Sequence, residues 1–136
     1  MRAVADDDEF GLVMMSHPSM LGAFTSPGHH GMSHAVVLGT LARLAGADVS
    51  VFPNHSGRFS FRPEDCAAIA DALGEPLGDL APAFPAPAGG MTLARVSEMV
   101  EFDGNDCVLL IGGELHRGAR RQQAEAMRRA AEEACR

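Results

Sequence analysis

Two pairs of adjacent glycines are the residues whose type and spacing point most directly to chemistry. Gly89-Gly90 and Gly112-Gly113 each close a short apolar run and precede a helix-like pattern. Glycine permits a positive φ and carries no side chain, so an anion can reach the bare N–H groups of such a turn. Turns of this kind in consecutive βα units hold phosphate in (β/α)₈ barrels. The pattern predicts a phosphate cradle, and the alternative is a pair of tight connections without a ligand.

A histidine and an arginine are further candidates. His17 ends a short apolar run, where it either faces a ligand site or caps the strand end through backbone hydrogen bonds. Arg58 lies beside Phe59 and Phe61 in a loop with a glycine hinge at Gly57. It is either the clamp of a lid that closes over an anion or a solvent-exposed arginine beside core aromatics.

Other polar clusters carry weaker signals. His29, His30 and His34 suggest a metal site, since positions 30 and 34 can share one helical face. Against a metal, no carboxylate or cysteine is adjacent in sequence, and a simple cap of the helix start also explains His34. The arginine-rich run after Gly113 is typical of a solvated helix face. Of its side chains, only those of Arg117 and Arg120 are placed to add positive charge near the glycines.

Composition limits the classes of function. The 136 residues, 46% of them hydrophobic, suffice for one domain with a core. A net charge of −7 disfavours nucleic acid or an anionic membrane as a partner, so an anionic substrate needs local donors. The three widely spaced cysteines are typical of reduced thiols, and the acidic N-terminus is unlike a signal peptide. We expect a soluble, cytoplasmic protein without a membrane span.

The elements that must position these residues alternate between strand and helix. Apolar runs predict strands over 12–15, 49–52, 83–86 and 107–111, and helical periodicity predicts helices over 33–46, 63–74, from Thr92 onward, and over 117–136. Residues 1–9 resemble the end of a preceding helix. Short connections favour right-handed parallel crossovers, so the four βα units form half of an eight-stranded barrel or a small open sheet.

Several ordered motifs resemble the C-terminal part of the RuBisCO large-chain superfamily. The motifs are Ser16–Ser26, Gly31–His34, Leu44–Asp48, Phe52–Asn54, Ala86–Gly90 and Ile111–Gly113. They are most similar to the RuBisCO-like (type IV) proteins that do not fix CO2, a group with enolases of methionine salvage and decarboxylases of sugar-acid breakdown. The resemblance implies that residues 1–136 are a partial C-terminal barrel domain, with strands five to eight of a (β/α)₈ TIM barrel.

The resemblance also implies roles for matched residues. His17 corresponds to a histidine that faces metal and substrate, whereas Pro18 stands in place of a phosphate-binding arginine. Arg58 falls where carboxylases carry a lysine on a mobile loop, and because a guanidinium cannot copy a lysine's chemistry, CO2 fixation is not expected.

The glycine turns match the family's phosphate site. Ala88 replaces a serine there, and Gly89, Gly90, Gly112 and Gly113 retain the backbone cradle. The family's Mg²⁺ is held by a carbamylated lysine, an aspartate and a glutamate, in a region that this sequence does not include.

Two functional hypotheses follow. The first is part of a Mg²⁺-dependent enolase or decarboxylase that acts on a phosphorylated keto-sugar and is inactive without the missing half-barrel. Its partner would be a complementary half-barrel chain or a second copy. The second is a non-catalytic remnant that binds phosphate at most or self-associates, because a half-barrel exposes two strand edges and an apolar face.

Overall fold

The computed structural model describes residues 1–25, 31–57, 59 and 61–136. The described part has an α/β fold around a parallel sheet in the order β1 (Met15–Ser16), β2 (Val49–Pro53) and β3 (Phe84–Ala88). β2 lies between the other two strands, and its pairing with β3 runs in register from Val49 opposite Phe84 to Pro53 opposite Ala88.

Helices alternate with the strands over most of the chain, near the positions that the periodicity predicts. They are α1 (Arg2–Ala5), a π-helical segment (Ala35–Thr40) that continues as α2 (Leu41–Leu44), α3 (Pro63–Gly74), α4 (Val96–Asp103) and α5 (Arg120–Ala134). Short 3-10 turns cover Leu21–Ala23, Leu93–Arg95 and Gly113–His116. None of the helices in the described ranges is both long and apolar enough to cross a membrane.

The helix boundaries have local causes. Proline at the first position of α3 needs no backbone partner, and Asp65 accepts hydrogen bonds from the backbone and side chain of Arg62 to cap the helix. Gly39 allows the π-helical segment to pack tightly on α3, because a Cβ there would lie 2.6 Å from the Cβ of Ala72. This contact places the helical layer against one face of the sheet.

The core occupies both faces of β2. Phe52 packs with α3 and the π-helical segment in a cluster whose other buried members are Leu38, Cys66, Ile69, Leu73 and Ala83. On the opposite face, Val49, Val51 and Ala86 form a smaller cluster with the partly buried Val108 and Leu110. The predicted strands at 49–52 and 83–86 are therefore confirmed, with β3 shifted towards its carboxyl end.

The fourth predicted strand is wrong for the described chain. Residues 107–111 run beside β3, but they make one parallel bridge, Ala88 to Leu110, and one backbone hydrogen bond from Val108 to Pro85 of 2.8 Å. The strand predicted at 12–15 is likewise reduced to Met15–Ser16. Both segments lie at an edge of the sheet, where no neighbour completes the hydrogen-bond ladder. The sheet has three strands, so half of a barrel is not confirmed.

Candidate functional site

The Gly89-Gly90 turn follows β3 directly and has the conformation that glycine favours. Its φ angles are +90° and +71°. Gly57, in the loop after β2, packs against this turn so closely that a Cβ on Gly57 would lie 2.7 Å from the carbonyl oxygen of Gly89. The second pair differs, because Gly112 has a φ of −124° and Cβ atoms on Gly112 and Gly113 would meet open space. Only the first pair therefore needs glycine for its backbone.

The structure brings the two glycine pairs together. They border a common cavity of about 300 Å³, lined by Gly89, Gly90, Met91, Thr92, Leu110, Gly112, Gly113, Glu114 and Arg117. No backbone carbonyl in the described part of the chain accepts a hydrogen bond from the amide of Gly90, Gly112 or Gly113. Exposed N–H groups around a concave space can hold an anion. Ala88, the last residue of β3, lies half-buried beside them.

Two charged side chains line the same cavity. Glu114, with a side chain only 19% exposed, has a carboxylate oxygen 3.7 Å from an Nη of Arg117. Arg117 thus lies at the predicted position, but its charge is offset by an acid that the sequence interpretation missed. Arg120 begins α5 and does not line this cavity. The site holds little net charge, so backbone amides are its main donors.

His17 lies apart from the glycine cavity. It follows β1 at the same carboxyl edge of the sheet, is exposed, and its Nδ1 lies 2.7 Å from the Oγ of Ser19. It borders a different cavity of about 210 Å³ between the 3-10 turn and α2. Two strand spacings, roughly 10 Å, separate β1 from β3. The role of His17 remains a prediction, since the structure brings it close to neither glycine pair.

The remaining candidates fall partly outside the described residues. Arg58, His29 and His30 lie there. His34 is described, and it stacks on Phe61 with ring centroids 4.2 Å apart and has its Nδ1 4.0 Å from Asp65. That carboxylate comes from α3, far along the chain, so adjacency in sequence could not reveal it.

A magnesium site requires several clustered oxygen ligands. Within residues 1–25, 31–57, 59 and 61–136, no three His, Cys, Asp or Glu side chains lie close enough to hold a metal ion. The residues described do not fit the family's Mg²⁺ centre.

A larger cavity of about 530 Å³ lies at the opposite, amino end of β3. Three carboxylates line it, from Asp71, Asp103 and Asp106. Both carboxylate oxygens of Asp103 are buried without a hydrogen-bond partner among the described residues, and burial raises the pKa of this group to about 6. An acidic cavity repels phosphate, so the smaller glycine cavity is the better anion site.

A cavity between glycine turns at the carboxyl end of a parallel sheet is characteristic of phosphate-binding α/β proteins. No protein-family model matches the chain. Ribulose bisphosphate carboxylase-like protein 1 of Rhodopseudomonas palustris is 44% identical over 105 residues, 77% of this chain and 27% of that protein. 5-Methylthioribulose-1-phosphate isomerase of Rhodospirillum rubrum is 42% identical over 77% of this chain and 26% of its own length.

A third relative is the 2,3-diketo-5-methylthiopentyl-1-phosphate enolase of Bacillus cytotoxicus, 35% identical over 85% of this chain and 28% of that enzyme. The crystal structure of the R. palustris Rubisco-like protein superposes on 97% of this chain with a TM-score of 0.82 and 37% sequence identity, and the match covers 34% of the R. palustris chain. The crystal structure of a rubisco-like protein from Alicyclobacillus acidocaldarius also matches 97% of this chain, with a TM-score of 0.86 and 30% identity, and the match covers 36% of that chain.

The chain belongs to the RuBisCO-like proteins, which confirms the resemblance seen in its motifs. It spans about a quarter of the length of the curated relatives that it matches.

Proposed function

We propose that this chain is the phosphate-binding part of a RuBisCO-like enolase or isomerase that acts on a phosphorylated keto-sugar. The observation that carries the proposal is the cavity bordered by both glycine pairs, with exposed backbone amides. Two relatives support the substrate class, because both are named for a sugar-like 1-phosphate. An enzyme of this group does not fix CO2, and decarboxylation of a similar substrate is the other reaction that we retain.

The chemistry that these residues can perform is binding and orientation. Amides of the glycine turns would donate hydrogen bonds to the phosphate oxygens, which fixes one end of the substrate without a charged side chain. As the family resemblance implies, His17 would face metal and substrate, and Arg58 would close over an anionic group. The ligands of a Mg²⁺ ion, which would supply Lewis-acid chemistry, would have to come from outside the described residues.

The edges of the sheet support a half-barrel that is completed elsewhere. Leu12 and Val13, beside the short β1, are 68% and 73% exposed, and residues 107–111 leave the other edge largely unpaired. We infer that these segments correspond to strands five and eight of a TIM barrel. The first four strands would come from a complementary half-barrel, and a second copy of the chain is the alternative partner.

Phosphate titration followed by ¹⁵N NMR tests the site. We expect inorganic phosphate to shift the amide resonances of Gly89, Gly90, Gly112 and Gly113, whereas Gly104 serves as a remote reference. Gly113→Asp places a carboxylate in open space at the cavity and should abolish the shifts, while Gly74→Asp, also in open space, should leave them. Phosphate binding that persists in Gly113→Asp would contradict the assignment.

The non-catalytic remnant remains the second candidate, because the described residues lack a metal-binding cluster. Light scattering of the purified 14.3 kDa chain measures its association. We expect a dimer or larger species, since the exposed apolar edge favours association. Val13→Lys should shift the population towards monomer, and a wild-type chain that is already monomeric would overturn this expectation. Mixing with a complementary half-barrel should restore enolisation activity only if the enzyme hypothesis holds.

A further inference from the structure

Arg95 lies where three segments of the carboxyl edge meet. It immediately precedes α4, and its Nη2 donates a hydrogen bond of 3.2 Å to the carbonyl oxygen of His55 in the loop after β2. Its Nε and Nη2 also donate to the two carboxylate oxygens of Glu98, at 3.1 and 3.0 Å. The side chain is only 17% exposed. One guanidinium therefore joins the β2 loop to the start of α4.

The same guanidinium lies beside the first glycine turn. A Cβ on Gly90 would be 3.9 Å from Nη1 of Arg95 and 3.3 Å from the Cα of Gly57. A Cβ on Gly57 would in turn lie 2.7 Å from the carbonyl oxygen of Gly89. Loop and turn are thus in backbone contact, and Arg95 borders this contact on the helix side.

The charge of Arg95 is already balanced within the protein. The hydrogen bond from Arg95 lowers the pKa of Glu98, so this carboxylate is ionised at neutral pH. Because it is paired with Glu98, the guanidinium adds little net charge at the turn, and its role is to fix the geometry of the loop. Its planar set of donors reaches a carbonyl and a carboxylate together, which a lysine ammonium does not reproduce.

We propose that Arg95 is a positioning residue, which holds the loop at residues 54–57 against the Gly89-Gly90 turn and thereby sets the anion affinity of that turn. This inference rests on the proposed function, because it takes the glycine cavity to be a phosphate site. It adds a residue whose effect is transmitted through His55 and Gly57, without a contact between its side chain and the phosphate.

The test compares Arg95→Gln and Arg95→Lys with Arg121→Gln as the matched control. Arg121 also pairs with a glutamate on a helix, at 2.9 Å, but its side chain is 91% exposed on α5. Inorganic phosphate affinity is measured by NMR titration, and ¹⁵N relaxation reports the order of residues 54–57, 89–90 and 112–113.

We expect Arg95→Gln to weaken phosphate binding about tenfold, because phosphate binding would then have to order the loop that the hydrogen bond to His55 holds in the wild type. Relaxation should show added motion at 54–57 and 89–90 only, with 112–113 unchanged. Arg95→Lys should resemble Arg95→Gln, and Arg121→Gln should resemble the wild type.

Two results would overturn the proposal. One is wild-type affinity in Arg95→Lys, which would assign the effect to charge alone. The other is unchanged loop order and affinity in Arg95→Gln. If the wild type itself binds no phosphate, the proposed function fails, while the relaxation data still decide whether Arg95 holds the loop against the turn. Loss of folding in Arg95→Gln would leave the lysine variant to make the same comparison.

Discussion

The middle strand β2 and the edge strand β1 arise from similar apolar runs, yet they differ sharply. Four residues of β2 are buried, and Phe52 is fully excluded from solvent. The run that leads into β1 is exposed at Leu12 and Val13, and only Met15–Ser16 pair as a strand. The difference shows that similar apolar runs form a five-residue strand between two neighbours but only a two-residue strand at this edge of the sheet.

The opposite edge repeats this lesson. Residues 107–111 are as apolar as β2, but they pair with β3 through a single bridge. Because strand pairing is a property of neighbours, both edges are expected to lengthen when further strands dock beside them.

Truncating one side chain in β2 and one in the exposed run before β1 should give the largest contrast. Phe52→Ala removes a fully buried ring from the α3 cluster and should lower the free energy of unfolding by about 3–5 kcal/mol. Val13→Ala should change it by less than about 0.5 kcal/mol in the same chain. Urea denaturation followed by circular dichroism measures both, and equal effects would break the comparison.

Arg43 tests how far stability depends on buried polar contacts between α2, the end of α3 and the connector that precedes β3. This side chain, 3% exposed, donates hydrogen bonds to the backbone carbonyls of Ala72, Glu75, Leu80 and Ala81. Arg43→Ala would leave these acceptors unsatisfied and should cost roughly 2–4 kcal/mol of unfolding free energy. As a control, Arg2→Ala removes the exposed ion pair with Asp6 and should cause no measurable change in the denaturation midpoint.

A smaller effect is expected from Asp103, the last residue of α4. The pKa of Asp103 rises from 3.8 to about 6, so the folded state favours the protonated carboxyl. The contribution of Asp103 to stability is therefore fully present below about pH 4 and is lost as the pH rises through about 6. Asp103→Asn should abolish this decline and stabilise the chain by roughly 1–2 kcal/mol at pH 7, after allowance for solvent screening. Thermal melts between pH 4 and 7.5 measure it, and a parallel decline in the variant would contradict this cause.

Much of the fold was predictable because its signals are local. Pro63 and Gly74 bound α3 as expected, and the glycine turn after β3 adopts the positive φ angles for which glycine is suited. The site was predictable to the extent that both glycine pairs border one cavity. Arg95 and Asp65 were missed because folding brings His55 and His34 near them, whereas Glu114 was missed although it lies only three residues before Arg117.

By itself, the sequence determined the family, the alternation of strand and helix, and the positions of the glycine turns, since motifs and periodicity are properties of adjacent residues. Only the tertiary structure decided which strands are complete and where His17 lies relative to the glycines. Those outcomes depend on contacts between distant segments. At the edges of this sheet, most of the strand-to-strand hydrogen bonds are not formed. The physical reason is that a strand's hydrogen bonds and a cavity's walls come from neighbours, which the order of residues along one run does not specify.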